Sequence, residues 1–307
     1  MAKVDLTKNA RKTSSKSILI LSDVHVGAKT AICSDSPFIK ELSTKYERTN
    51  RQKAMFEYWK SIKDQLVNGK PAWLFINGEP VNGPNRKTRG TDNWSSNVLD
   101  DQISDFMKLM KYIPITASND YNNIIITRGS GYHVALEQGT IEVEEEVARR
   151  LNAFPYNSYE DYSVKIKNKE DLTYTDVFFI GEILDKTINM THHVGSSRWF
   201  AYRTTAPARE AAGMHFEVGK MLPVQNHIDL TIRSHIHYYS HIEFGKSHTI
   251  TTPAWKFPDP FLFKNGLAGT TPEIGAVEVV IEPNGRIMVY SHLMEREKGY
   301  AKVHKLT

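Results

Sequence analysis

Four consecutive aliphatic residues, Ile18-Leu19-Ile20-Leu21, constrain this chain more than any other feature. A run without polar alternation reads as a β-strand covered on both faces, so it calls for an apolar layer above and another below. The run stops at Ser22, and Asp23 and His25 follow where the strand would leave the C-terminal edge of its sheet. Ligands of open α/β sheets bind at that edge. A carboxylate and an imidazole two residues apart on a turn can face one ion.

The same grammar recurs downstream. Arg51 to Leu66 carries Met55, Tyr58, Trp59, Ile62 and Leu66 at helical spacing, ending near Asn68-Gly69. The run Ala72 to Asn77 is a second buried strand and closes in Gly78-Glu79-Pro80. A helix is expected over about Asp100 to Tyr112, a third strand over Asn123 to Thr127, and a helix over Glu142 to Leu151. This β-loop-α alternation argues for a parallel sheet with helices packed against it. The second half reads as shorter strands, Tyr162 to Ile166, Asp176 to Ile180 and Thr187 to Thr191, then a helix over about Ala206 to Met221. Strands resume at Asp229 to Arg233, Ser240 to Phe244, Ile274 to Ile281 and Arg286 to His292. Glu282-Pro283-Asn284-Gly285 is a hairpin turn between the last two. With no repeat or linker, residues 1–16 read as a basic flexible tail and 17–307 as one domain.

Composition narrows the class. A chain of 307 residues can bury a sizeable core, and no run approaches the roughly 18 apolar residues of a membrane span. The N-terminal segment is basic and polar without the apolar stretch of a signal peptide. Cys33 is the only cysteine, which excludes an internal disulfide and points to a cytoplasmic setting. A net charge of +4 permits a polyanionic partner without requiring one.

Five strand ends carry groups suited to metal chemistry: Asp23 and His25, Glu79, His133, His192-His193, and His235-Ile236-His237. Imidazole with carboxylate suits zinc, manganese, iron or nickel better than calcium or magnesium alone. In order, the segments SDVHVG, NGEPVNG, RGSGYHV, MTHHVG and RSHIHYY resemble the D-x-H, G-D, G-N-H, H and G-H-x-H motifs of the calcineurin-like metallophosphoesterase superfamily. The RG-x-x-x-HV and RSH-x-H forms are most similar to those of phage and bacterial phosphoesterases. The resemblance covers residues 18 to 240.

The resemblance implies an α/β fold of two mixed β-sheets packed face to face and flanked by helices, a four-layer sandwich. It implies a phosphoester hydrolase with two divalent metal ions (Mn, Zn, Fe, Ni or Mg), in the cytoplasm of a bacterial or phage-infected cell. Asp23, His25 and His237 match the ligands of the first ion, and His192 and His235 those of the second. His133 takes the place of the histidine that serves the leaving oxygen. Glu79 stands where the family has its bridging Asp, and Asn82 where a second Asp is common. Ser130 stands nearest to the Asn of G-N-H. These departures predict a tight first site and a weak second one.

Three loops are expected to wall the site with cations and aromatics that suit a phosphate chain with stackable bases. They are Gly83 to Asn97 (with Trp94), Gly195 to Arg203 (with Arg198, Trp199 and Tyr202) and Pro253 to Lys264 (with Trp255 and Phe257). Arg128 and His193 are further candidates for substrate contact, beside Arg198, Trp199 and Trp255. The expected reaction is that of a phosphodiesterase or nuclease on nucleic acid or nucleotides. The alternatives are a phosphomonoesterase of nucleotides or phosphoproteins, or a weakened relative acting as a binding module. His215, His227, His241 and His248 lack motif context and read as structural.

Overall fold

The structure is a computed structural model that describes residues 4–5, 14–84, 88, 90–95, 99–130, 143–154, 178–195, 197, 200–216, 228–258 and 272–295. Two mixed sheets lie face to face. The first holds β2 (Lys16–Leu21), β5 (Trp73–Asn77), β6 (Ile124–Thr127), β12 (Gly275–Ile281) and β13 (Ile287–Leu293), in the order β13-β12-β2-β5-β6. Strands β2, β5 and β6 run parallel, and β12 and β13 join antiparallel to them. The second holds β1 (Val4–Asp5), β7 (Phe178–Ile183), β8 (Lys186–Thr191), β9 (Leu230–Arg233), β10 (Ser240–Phe244) and β11 (Ser247–Thr251), in the order β1-β7-β8-β9-β11-β10. Here β8, β9 and β11 are parallel. A small hairpin, β3 (Phe38–Ile39) with β4 (Thr44–Lys45), lies between β2 and the first helix.

Alternation along β2 explains its continuous apolar run. Ile18 and Ile20 join Phe75, Ile125, Phe179, Ile188, Ile232 and Val279 between the two sheets. Leu19 and Leu21 face the opposite way, into a core shared with helices α1 (Asn50–Gln65), α2 (Leu99–Met110) and α3 (Val143–Leu151). Helix α4 (Thr205–Phe216) lies against β9, β10 and β11, completing four layers. The two-sheet sandwich expected from the motifs is therefore the architecture observed.

Local chemistry sets the element ends. Thr49 and Gln52 form a reciprocal capping box at the start of α1, with Met55, Phe56, Trp59 and Ile62 on its buried face. The helix stops at Leu66. The next two amides, of Val67 and Asn68, donate to the two oxygens of Glu278 at 2.8 and 3.1 Å. The turn between β12 and β13 forms as expected, with Gly285 at φ +83° and its N–H donating to Glu282 O.

Two differences from the sequence expectations stand out. Strand β11 has no apolar run to announce it, yet all five of its residues are buried because β9 and β10 flank it, α4 lies against it and Ile250 enters the core between the sheets. Within the segment expected as a tail, Val4–Asp5 pair in parallel with Gly181–Glu182. The expected strand Tyr162 to Ile166 lies outside the described residues. Among those residues no helix is long and apolar enough to cross a membrane.

Glu278 yields a test of this packing. It is fully buried, holds two amides and lies 3.2 Å from His292 Nε2. Burial opposes its charge, but His292 and the amides outweigh burial and hold its pKa below the ordinary 4.5. Its folded pKa being depressed, the stabilisation is present above pH 4.5 and is lost as pH falls further. Glu278→Gln should lower stability by about 1.5–3 kcal/mol at pH 7, with the difference shrinking below pH 4.5. Urea denaturation of both proteins across that range measures it.

Candidate metal centre

Six strands deliver their C-terminal ends to one edge of the sandwich. Beyond β2 and β5 the two chains continue side by side, with Asp23 N–H donating to Gly78 O, His25 N–H to Glu79 O and Val26 N–H to Pro80 O. This pairing sets Asp23 and His25 beside Glu79. From the other sheet, β8 ends at His192, and β9 leads through Ser234 to His235 and His237. Asp23, His25, Glu79, His235 and His237 all adopt left-handed backbone, with φ of 47°, 51°, 54°, 72° and 59°. Such conformations cost about 1–3 kcal/mol each and concentrate at functional sites.

Two groups of ligand atoms result, Asp23–His25–Glu79–His237 and Glu79–His192–His235, each with all its atoms within 4.8 Å of one another. His25 Nε2 lies 2.8 Å from Glu79 Oε2, and His192 Nε2 lies 3.3 Å from Glu79 Oε1. His237 Nε2 lies 3.1 Å from Asp23 Oδ1 and 3.3 Å from His25 Nε2. Two donors on one tetrahedral ion at 2.0–2.2 Å stand about 3.4 Å apart, so the spacing fits. The orphaned atoms fit as well: Asp23 Oδ1 and His192 Nε2 are buried without a well-aligned hydrogen bond.

Neighbouring residues aim these donors. Asp23 Oδ2 accepts from Ser22 Oγ at 2.7 Å and from the His235 N–H at 3.2 Å, which turns Oδ1 into the cluster. His192 Nδ1 lies 2.7 Å from Asn77 O, which makes Nδ1 a donor and turns Nε2 toward Glu79, free to ligate once its proton is displaced. Gly78 is required there, since a Cβ would lie 2.5 Å from His192 Nδ1, and a Cβ on Gly129 would overlap Glu79 Cγ. Glu79 Oε1 accepts both the hydroxyl of Ser130 and its N–H, the latter at 3.0 Å. Ser130, which stands nearest to the Asn of G-N-H, holds the carboxylate common to both groups.

Charge and burial compete within the cluster. Burial alone would raise the Asp23 carboxyl, but His237 and His192 outweigh it and hold the pKa far below the ordinary carboxylate range. Burial likewise opposes a charge on His192, yet Glu79 and Asp23 push it up to about 9. His235 is lowered to about 4, chiefly by burial, so its ring is neutral at pH 7.

The remaining expected residues divide. His193 is exposed, with its ring 4.7 Å from that of His235 at the rim of the cluster. Asn82 lies apart, its side-chain amide donating to Asn93 Oδ1 at 2.6 Å. Arg128 pairs with Glu145 at 3.0 Å. Trp255 corrects the expectation of a substrate wall: its indole is fully buried, 4.6 Å from the ring of Trp59, while its backbone N–H donates to Asp23 O. Trp94 and Phe257 are buried too, Trp94 stacked on Tyr46. These three rings anchor loops to the core and cannot stack on a base. His133, Arg198 and Trp199 lie outside the described residues.

Sequence reasoning missed the residues that support the donors: Ser22, Asn77, Ser234 and Thr252. It also missed Glu144, buried in the first turn of α3, whose Oε1 accepts the Gly129 N–H at 3.1 Å. Burial, with Glu79 adding to it, pushes the Glu144 carboxyl up. For the first three a signal existed, because each is a polar residue closing or directly following a buried strand.

No family model matches the chain, and no curated protein does. Among solved structures, a conserved Streptococcus pneumoniae protein described as a predicted phosphoesterase is 11% identical, with 91% of this chain and 99% of that chain covered and a TM-score of 0.35. Zinc-bound Vps29 from Entamoeba histolytica is 10% identical, with coverages of 90% and 99% and a TM-score of 0.37. An archaeal phosphodiesterase is 13% identical, with coverages of 90% and 99% and a TM-score of 0.37. At identities and TM-scores this low the likenesses carry no argument, and the reading of the site rests on its own geometry.

Two outcomes follow from that geometry. Ser130→Ala keeps the amide but removes the hydroxyl that holds Glu79. Affinity at the Glu79–His192–His235 group should fall about 10–100-fold, while the Asp23–His25–His237 group keeps its ion; calorimetric titration with Mn²⁺ resolves the two. Second, the folded pKa of His192 lies above its ordinary 6.5, so its charge stabilises the metal-free fold below pH 6.5 and that contribution is lost as pH rises through about 9. An ion at this group must displace that proton. Affinity should therefore rise about tenfold per pH unit up to about 9, as titrations at several pH values would register; a flat profile would mean a neutral His192.

Proposed function

We propose that this chain is a metal-dependent phosphoester hydrolase, a phosphodiesterase or nuclease acting on nucleic acid or nucleotides through two adjacent divalent ions. The observation that carries this reading is Glu79, whose two oxygens face different ligand groups: Oε2 toward His25, and Oε1 toward His192. A carboxylate shared in this way suits a pair of ions better than one. When bound, such a pair polarises phosphoryl oxygens and lowers the pKa of water.

The chain's own residues do the rest. Asp23, His25 and His237 would hold the first ion, and His192 and His235 the second, with Glu79 between them. Ser22 and the His235 amide keep Asp23 turned inward, and Asn77 O keeps His192 in the ligating tautomer. His193, at the rim of the cluster, is the proposed donor of a hydrogen bond to a phosphoryl oxygen; partial burial and His192 lower its pKa. His133 is the proposed donor of a proton to the leaving oxygen. Among the described loop aromatics, Trp94 and Trp255 are buried and Tyr202, which is 59% exposed, is the proposed stacking surface, with Trp199 retained as a candidate.

Elemental analysis combined with hydrolysis of bis(p-nitrophenyl) phosphate and of the monoester tests the proposal. Asp23→Ala and His237→Ala should each remove most bound metal and lower diester turnover by about 10²-fold or more. His133→Ala should keep the metal, and its loss in rate should be larger for poor leaving groups. Wild-type metal content and rate in both of the first two variants would overturn the assignment. Faster cleavage of the monoester would move the function to a phosphomonoesterase.

A further inference from the structure

Away from this centre, the hairpin of β10 and β11 carries two histidines and a glutamate, side chains of metal-ligating type, at paired positions. Cross-strand register pairs Glu243 with His248 and His241 with Ile250. Opposed residues of an antiparallel pair share a face, as do residues two apart along one strand. His241, Glu243 and His248 therefore occupy one face of the hairpin. His241 Nε2 lies 3.0 Å from His248 Nδ1, with the rings inclined by only 17°. β10 is the edge strand of its sheet, and His241 and Glu243 are exposed there.

We propose that His241, His248 and Glu243 form a separate site for one late first-row divalent cation, of the class Zn²⁺, Ni²⁺ or Cu²⁺. The two nitrogens already stand near the roughly 3.4 Å separation of two donors on one tetrahedral ion. Glu243, exposed and directly across from His248, swings in as the third ligand, and water completes the set. Both imidazoles are in the right state at pH 7: burial lowers the pKa of each, and His248 lowers that of His241 further. The proton shared between the rings moves to the outer nitrogen of its own ring by exchange with solvent, so no net proton is released. Asp229, also close to His248, is already taken by Lys186 at 2.9 Å and by the Thr187 N–H at 2.9 Å. Imidazole-rich sites of this kind favour Zn²⁺, Ni²⁺ and Cu²⁺ over Mg²⁺ and Ca²⁺. The site shares no residue with the Asp23–Glu79 centre, and an ion in it would clip the edge strand to its neighbour.

Zinc equivalents retained by the full chain after desalting, with calorimetric titration, test this. Wild type should bind one equivalent more than His241→Ala or His248→Ala. Glu243→Gln should weaken that equivalent about tenfold, and excess Mg²⁺ should not displace it. His241 and Glu243 are exposed, so their replacement leaves the fold intact, and phosphodiester hydrolysis should be unchanged in both variants. The double change Asp23→Ala, His237→Ala should keep this equivalent while losing metal at the main centre, which separates the two assignments. Bound Cu²⁺ should show coupling to two imidazole nitrogens by electron paramagnetic resonance in wild type and to one in His241→Ala. Equal zinc binding in wild type and His241→Ala, or displacement by Mg²⁺, would overturn the proposal.

Discussion

A chain of buried hydrogen bonds holds the two sheets together where the ligands emerge. Asp23 Oδ2 accepts from Ser22 Oγ, which lies 2.6 Å from Thr252 Oγ1. That hydroxyl lies 2.7 Å from Ser234 Oγ, which accepts from the Asn77 amide at 2.7 Å. Asn77 Oδ1 in turn accepts from Thr127 Oγ1 at 2.6 Å. The path links the ends of β2, β11, β9, β5 and β6, and so crosses from one sheet to the other and back. Each of these groups is buried, and a buried polar group left unmade costs about 1–3 kcal/mol. The network therefore fixes how the two sheets meet at this edge as well as where Asp23 points.

That rigidity is what permits the strain beside it. Five of the six candidate ligands sit in left-handed backbone, a conformation that persists only where the surroundings over-determine it. Parallel pairing of the loops after β2 and β5 supplies one constraint, and the polar network supplies another. Trp255 adds a third, since its ring is locked in the core against Trp59 while its backbone holds Asp23 O. A residue that looked like part of a substrate wall thus serves the centre from behind.

Electrostatics work in the same direction. Two carboxylates and four imidazoles meet in this cluster, and each carboxylate has imidazole nitrogens within 4 Å of it. A group that must hold charge without water needs an opposite charge close by. Protonated His192 supplies this in the metal-free protein, and a cation would supply it otherwise. The Ser130 contacts to Glu79 fit this economy, because they hold one oxygen of the shared carboxylate by hydrogen bonds and leave the other toward His25.

How much of this was legible in the chain follows from range. Ile18 to Leu21, the strand ending at Asn77, the helical spacing of Arg51 to Leu66 and the turn before Arg286 are written in neighbouring residues, because strand burial, helix periodicity and turns depend on local pattern. The strand-end positions of Asp23, His25, Glu79, His192, His235 and His237 were legible for the same reason. Strand β11 was not, since Ser247 to Thr251 are buried by two flanking strands, by α4 and by the core between the sheets, all distant in sequence or unmarked in it. Nor was the role of Trp255, as an aromatic on a loop reads alike whether it faces solvent or core. The sequence by itself determined which residues stand at strand ends and what chemistry they carry. Only the tertiary structure decided that Glu79 is shared between two groups, that Ser130 holds it, and that His241 meets His248. Those outcomes depend on contacts between residues far apart in the chain, which the packing of two sheets and the register of a hairpin create.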